Sequence, residues 1–285
     1  MDDSTRKRKT VDELEFADDF MFSTVMQNPE ICKGVLERLL KMKISKIEYP
    51  EAQKTISPFF NAKGVRLDVY CESDGKVYDV EMQNSNYTNL PKRARYYQSM
   101  LDSEQLNKGK LYENLKESFI IFICKTDPFH LGVPIYRVDQ IFRDVKDKNG
   151  NPAEYKDDVQ KFFFNSAAYE QEKDSALRNF LKFVHTSKPD DDFTEQLDEQ
   201  VRETKERDIF RSSYMEWNLT YHDAKLEGRI EGLAEGESKA KLESAKIAIK
   251  EGLTKELVLK ISGISCEQYE ELTGTLEKNS FLAGN

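Results

Sequence analysis

One stretch constrains this chain more than any other: Val65-Arg66-Leu67-Asp68-Val69-Tyr70-Cys71, then Glu72-Ser73-Asp74-Gly75, then Lys76-Val77-Tyr78-Asp79-Val80-Glu81-Met82-Gln83. Two runs rich in Val, Tyr and Leu flank an Asp-Gly pair, the strongest short-range signal for a tight hairpin. Side chains alternate across a strand, so Val65, Leu67, Val69 and Cys71 are expected on one face of the first arm, with Arg66, Asp68 and Tyr70 on the other. In the second arm Tyr78, Val80 and Met82 share a face, and Val77, Asp79, Glu81 and Gln83 share its opposite. With Asp74-Gly75 as a two-residue loop, Ser73 faces Lys76. Asp68 then falls across from Glu81, Tyr70 across from Asp79, and Arg66 across from Gln83. Opposed residues hold their Cβ atoms roughly 4.5–5.5 Å apart, and like charges so placed repel. Two carboxylates at that spacing need a cation between them, a shared proton, or a nearby Arg. A hard divalent ion, Mg²⁺ or Mn²⁺, suits an all-oxygen site of this kind. The same pattern also fits a surface acidic pair neutralised by Arg66, because ion networks of purely structural origin mimic sites.

At 285 residues the chain can bury one substantial core and still carry an extension. A third of it is charged and the net charge is −9, which argues against tight, non-specific nucleic-acid binding by the whole surface. A local basic patch stays open. Arg6-Lys7-Arg8-Lys9 reads either as a nucleic-acid arm or, more simply, as a solvated tail. The four cysteines, Cys32, Cys71, Cys124 and Cys266, are scattered without a Cys-x-x-Cys pair, the usage of reduced thiols in a cytosolic protein. The N-terminus lacks the apolar core of a signal peptide, and the longest apolar run, residues 119–124, is far too short to span a bilayer. A cytoplasmic protein without membrane partners is the expectation. No phosphate-cradling Gly-rich loop follows a strand, so no nucleotide cofactor is expected. His130, His185 and His222 stand alone, without zinc or triad spacing.

Along the chain, apolar residues recur at helical spacing over residues 11–41, and Asn28-Pro29 divides the run into two helices with Pro29 opening the second. Residues 44–60 read as an irregular strand that Pro50 and Pro58 restrict to an edge or a bulge. After the hairpin a polar loop, residues 84–89, leads to a helix opened by Pro91. Lys92, Arg93 and Arg95 in its first turn oppose the helix dipole, a cost most easily borne where the cations meet a phosphate or carboxylate. A solvated helix start with Tyr96 and Met100 facing the core explains them equally well. Residues 118–124 form a run typical of a strand covered on both faces, and shorter strands follow near 135–138 and 162–164. Helical periodicity dominates from Ala167, broken at Lys188-Pro189. Residues 193–242 form one long helix or two, with Gly228, Gly232 and Gly236 repeating within Glu-Gly pairs as a close-contact face or a flexible linker. Two or three short capped helices close the chain, with Thr254 and Ser265 as caps and no basic recognition face.

An Asp on one strand and a Glu-x-Gln on its neighbour, followed by a basic helix, make a specific combination. It resembles the PD-(D/E)xK nuclease superfamily, and more narrowly the bacterial recombination-promoting nucleases or putative transposases. The match is carried by Arg66-Leu67-Asp68-Val69, Tyr78-Asp79-Val80-Glu81-Met82-Gln83, residues 93–97, Gly109 and Tyr112. Residues 120–124 with Asp127-Pro128-Phe129, the opening Asp19-Phe20-Met21-Phe22 and the Glu-Gly repeats add to it. The resemblance implies an α/β fold, a restriction-endonuclease-like mixed central sheet flanked by helices, here with a helical C-terminal extension. The domains expected are a nuclease-like core at 1–190, an extended helical segment at 191–244 and a small helical unit at 245–285. It implies a divalent metal, Mg²⁺ or Mn²⁺, on Asp68 and Glu81, with Asp19 as an additional ligand. Gln83 takes the position where the wider superfamily has Lys, and a neutral amide can only hydrogen-bond where an ammonium would stabilise charge. DNA is the implied substrate, with Arg93 and Arg95 on backbone phosphates and Tyr97 lining the groove or packing. The reaction implied is metal-assisted phosphodiester hydrolysis in recombination or transposition. The alternative is a nuclease-fold scaffold with weak or lost catalysis. In either case the C-terminal helices are expected to join copies of the chain into a homo-oligomer.

Overall fold

The computed structural model describes residues 9–56, 64–84, 89–106 and 109–282. Arg6, Lys7 and Arg8, Pro58, and Ser85 to Thr88 of the polar loop lie outside the described residues. The chain forms two compact units, Met1–Tyr214 and Met215–Asn285.

The first unit is a mixed α/β layer structure. A short 3₁₀ turn at Val11–Glu13 precedes α1 (Asp19–Val25) and α2 (Pro29–Leu40). Pro29 does open α2, because the amide of a first helical residue has no acceptor within the helix and its absence in Pro costs no bond, and the Asn28 side chain caps the Glu30 amide. Next come β1 (Glu48–Ile56), β2 (Val65–Ser73) and β3 (Lys76–Gln83), then α3 (Leu90–Gln105) and β4 (Ser118–Cys124). β5 (Ile135–Val138), β6 (Ile141–Lys146), β7 (Pro152–Glu154) and β8 (Val159–Asn165) follow. α4 (Ser175–Thr186) and α5 (Asp192–Glu206) complete the layer that packs with α1 and α2.

Six strands form one sheet in the order β1-β2-β3-β4-β8-β5. β3, β4 and β8 run parallel at its centre, while β1, β2 and β5 are antiparallel to their neighbours. Every residue of β4 is buried, as expected of a central strand covered by helices on both faces. β1 holds an edge and has a register shift between Glu48 and Glu51, where Pro50 cannot donate to the ladder. β6 and β7 make a separate ribbon that the sequence reading did not anticipate. Its strands are exposed, with Ile141, Phe142 and Val145 about half accessible, so no buried-face periodicity marks them.

The hairpin adopts the expected register: Ser73↔Lys76, Tyr70↔Asp79 and Val69↔Val80. Asp74 and Gly75 both have positive φ, 53° and 73°, as a tight hairpin turn of two residues requires. The expected alternation of faces along β2 is corrected. Tyr70 and Val77 pack with Leu90 and Ala94 of α3, and Val65 and Leu67 join that same cluster. Cys71 instead reaches Cys32 on α2, with their sulfurs 3.8 Å apart. The break falls at Asp68. Between the flanking pairs Lys54↔Leu67 and Ala52↔Val69, Gln53 of β1 has a left-handed φ of 55°, which interrupts the pleat.

α5 belongs to the first unit, although the sequence reading placed it in the extended segment. Leu197 and Val201 are buried, and Phe193 packs so closely on Gly34 of α2 that a Cβ there would lie 2.3 Å from its ring. α6 (Asp208–Lys250) starts after a break at Arg207, which settles the one-or-two-helix question as two. Its residues Phe210 and Tyr214 still pack on Phe20 of α1. The second unit contains the remainder of α6 with α7 (Lys255–Ser262) and α8 (Cys266–Leu282). Ala245, Ala248, Val258 and Ile264 form its small core. Among the described residues no helix is long and apolar enough to cross a membrane.

Candidate active site

Where the β2–β3 ladder ends, side chains replace backbone as partners. The Asp68 amide donates to Glu81 Oε1 at 2.8 Å, and the Met82 amide donates to Asp68 Oδ2 at 3.0 Å. These reciprocal bonds hold the two carboxylates against each other at one level of the hairpin. Glu81 is only 3% exposed and Asp79, two residues earlier on the same face, is fully buried. Asp68 is partly exposed.

Three carboxyl groups in so little space cannot all be comfortable as anions. Burial, and after it the charge of Asp19, pushes Asp68 up to about 7. Burial, and then the Asp68 charge, raises both Glu81 and Asp79 well above the usual carboxylate range. Neither oxygen of Asp79 has a hydrogen-bond donor. The adjoining Glu81 carboxyl bonds to it only if one of the two carries a proton. Sequence reasoning set Asp79 on this face but did not nominate it. Its position two residues before Glu81 was the available signal.

Counter-charge comes from Arg66 on β2, which lowers Asp68, and from Arg93 on α3. Arg93 NH1 donates to Gln83 Oε1 at 2.6 Å, and NH2 lies 3.5 Å from Glu81 Oε2. NH2 also donates to the Tyr97 hydroxyl at 3.0 Å. Tyr97 is itself half-buried, its ring 6.1 Å from that of Phe122 in the sheet core. Of the three residues assigned to nucleic acid, Arg93 and Tyr97 thus turn toward the carboxylates, while Arg95 is exposed together with Lys92. The cations opposing the α3 dipole therefore divide, one meeting an acid and two facing solvent.

Asp19 stands at the first residue of α1, where its Oδ1 accepts from Asn84 Nδ2 at 3.0 Å. Asn84 follows Gln83 directly, and its amide nitrogen also bonds the Ala17 carbonyl. Asp19 is close enough for its charge to act on Asp68. Nevertheless, among the described residues no three His, Cys, Asp or Glu side chains stand together as a ready metal cage. A second ion network borders the site, in which Lys125, just beyond β4, donates to Glu15 at 2.8 Å. A groove of about 480 Å³ lined by Arg137, Tyr155 and Gln160 shares no residue with the carboxylates.

The donor set fits a hard cation. Asp68 and Glu81 bring carboxylate oxygens together, the hard donors that a divalent cation takes, and Asp79, on the face of Glu81, has buried oxygens without a donor. Two guanidiniums, Arg66 and Arg93, act on three carboxyls that burial and mutual charge raise, and a divalent ion would add to the local charge balance. A mixed sheet carrying an Asp and a Glu-x-Gln on neighbouring central strands, backed by a basic helix, defines a nuclease-type α/β fold. The chain belongs to the PD-(D/E)XK nuclease family transposases, whose family model matches residues 15–216, more than half of its length. Searches of curated proteins and of solved structures found no match.

Proposed function

We propose that the protein is a divalent-metal-dependent DNA endonuclease acting in recombination or transposition, with Asp68 and Glu81 holding Mg²⁺ or Mn²⁺. The observation that carries this reading is the reciprocal pair of bonds that fixes those carboxylates side by side. When bound, the ion supplies Lewis-acid polarisation of the scissile phosphate and lowers the pKa of water. Asp19 adds negative field beside Asp68. Gln83, two residues beyond Glu81, orients the attacking water or a non-bridging oxygen through its amide. Arg95, exposed on the first turn of α3, contacts backbone phosphates without reading sequence.

The same reading includes self-association through α6. Met215, Leu219, Leu226, Ile230 and Leu233 are each more than half exposed and recur at helical spacing along one stripe. A helix interrupted by Gly228, Gly232 and Gly236 draws little stability from propensity, so packing against a second copy would supply it.

The deciding experiment is supercoiled-plasmid nicking with Mg²⁺. Wild type should convert plasmid faster than Asp68→Ala and Glu81→Gln, and chelator should abolish the difference. Equal rates in all of these would leave the nuclease fold as a scaffold, the role that Gln83 and the net charge of −9 favour.

A further inference from the structure

Two neighbouring carboxylates stand at the start of α1, and their surroundings differ. Asp18 is neutralised: Lys9 Nζ donates to its two oxygens at 2.9 and 2.7 Å, and the Glu15 amide donates to it at 2.7 Å. Asp19 has no such cation. No described Lys or Arg is in ion-pair contact with it, and Arg66 acts on it through its field. What holds Asp19 is a neutral amide, Asn84 Nδ2, which donates to its Oδ1 at 3.0 Å. The same nitrogen bonds the Ala17 carbonyl. Both partners are acceptors, so each takes one hydrogen of the amide group and the orientation of Asn84 follows. Asn84 comes directly after Gln83 at the end of β3, and that strand end is tied to the approach to α1 a second time. The Lys125 amide donates to the Gln83 carbonyl at 2.9 Å, while Lys125 Nζ reaches Glu15 at 2.8 Å.

An exposed Asp side chain ordinarily exchanges among rotamers within nanoseconds, and Asp19 is exposed. A lysine in place of Asn84 would fix it and cancel its charge. An amide fixes it and leaves the charge whole, and Asp68 feels that charge. Yet among the described residues no three His, Cys, Asp or Glu side chains form a metal cage, so Asp19 does not join Asp68 and Glu81 as a third direct ligand. We infer that Asn84 is a positioning residue: it holds a charged Asp19 beside the Asp68–Glu81 pair but outside the ligand set, where the carboxylate accepts a hydrogen bond from water on the bound cation. The inference rests on the metal-dependent reading above and moves Asp19 from ligand to outer partner. Outer partners of this kind typically change metal affinity 10–100-fold.

The test reads Mn²⁺ binding without turnover. Electron paramagnetic resonance of free Mn²⁺ gives the affinity, and water-proton relaxation counts the waters on the bound ion. Asp19→Ala and Asn84→Ala should each weaken Mn²⁺ binding about tenfold. The double variant should lose about tenfold as well, because Asn84 acts through Asp19 and the two effects are not additive. The number of bound waters should be the same in wild type and Asp19→Ala. Asn84→Ser, which keeps a donor, guards against a folding defect and should lose less than Asn84→Ala. Raising Mn²⁺ should restore plasmid nicking in Asn84→Ala but not in Asp68→Ala. Unchanged affinity in Asn84→Ala, losses that multiply in the double variant, or one more bound water in Asp19→Ala overturns the inference. An inactive wild type that shows the coupling keeps the inference and overturns the nuclease reading, and an active wild type without it does the reverse. A wild type that binds no Mn²⁺ overturns both.

Discussion

The Asp68 amide donates to the Glu81 carboxylate at 2.8 Å, and the Asp68 carboxylate accepts from the amide that follows Glu81. Each acid is anchored by the other's strand, so neither can swing away from the other to relieve their repulsion. The pair is held by backbone geometry, and its remaining charge must be met by protons, by Arg66 and Arg93, or by a cation.

That constraint makes stability depend on pH in a definite direction. Asp68 titrates near 7 in the folded protein against 3.8 for an ordinary Asp, burial being the larger cause and Asp19 the next. Between those values the folded state retains a proton that the unfolded chain has released. The contribution is therefore fully present below about pH 4 and is lost as pH rises through about 7. Glu81 and Asp79 shift the same way. Metal-free Asp68→Asn should melt higher than wild type at pH 8, on the order of 5 °C, with the gap closing toward pH 4. Mn²⁺ should raise the wild-type melting temperature more at pH 8 than at pH 6, and should do little for Asp68→Asn. A constant gap across that range would contradict the assignment.

Arg95 is exposed on the same turn as Arg93 but carries a different expectation. A phosphate contact is electrostatic, sequence-independent and sensitive to salt. Arg95→Ala should weaken duplex binding similarly for unrelated sequences and reduce the slope of log affinity against log salt by about 1. Anisotropy titrations over a range of NaCl concentrations read both quantities. An unchanged slope would remove Arg95 from the interface.

The extent of the first unit can be probed at Gly34. A Cβ at this position would lie 2.3 Å from Phe193 Cε2, and Arg38 stacks on that ring at 3.6 Å. With little freedom to retreat, Phe193 would push α5 from α2. Gly34→Ala should destabilise by roughly 1–3 kcal/mol, as overpacking does. Truncation after residue 190 should unfold the first unit, since it removes buried Leu197, Val201, Phe210 and Tyr214, whereas truncation after 214 should leave it folded. Urea melts of these variants provide the measurement.

How far the sequence could be read differs from element to element, for physical reasons. The Asp74-Gly75 turn sets the hairpin register, and register sets which residues oppose, so the meeting of Asp68 and Glu81 was legible. Face alternation was not, because it assumes an unbroken pleat, and Gln53 on the neighbouring strand takes a left-handed φ that no local signal announces. Arg93 was visible as a cation out of place at a helix start. Its partner is ten residues away across a loop and strand end, beyond the reach of any periodicity. The β6–β7 ribbon escaped notice because both its faces are exposed, which erases the apolar alternation that marks a strand. The division between α5 and α6 at Arg207 has no Gly or Pro to signal it.

The exposed stripe on α6 leads to the last prediction. Leu219, Leu226 and Leu233 are spaced by seven residues, with Ile230 between the last two, the repeat that keeps a seam facing a partner helix. Each is more than half exposed in the single chain, so their burial has to come from outside it. A second copy offers a stripe of identical pitch, and light scattering should give the full chain the mass of a dimer. Leu226→Glu with Leu233→Glu would set like charges on the seam of both helices and should return the protein to monomer. The melting transition of the first unit should not move, because neither side chain lies in it. A wild type that is already monomeric at high concentration would defeat self-association through this helix, while a dimer that survives both substitutions would assign the contact to another surface.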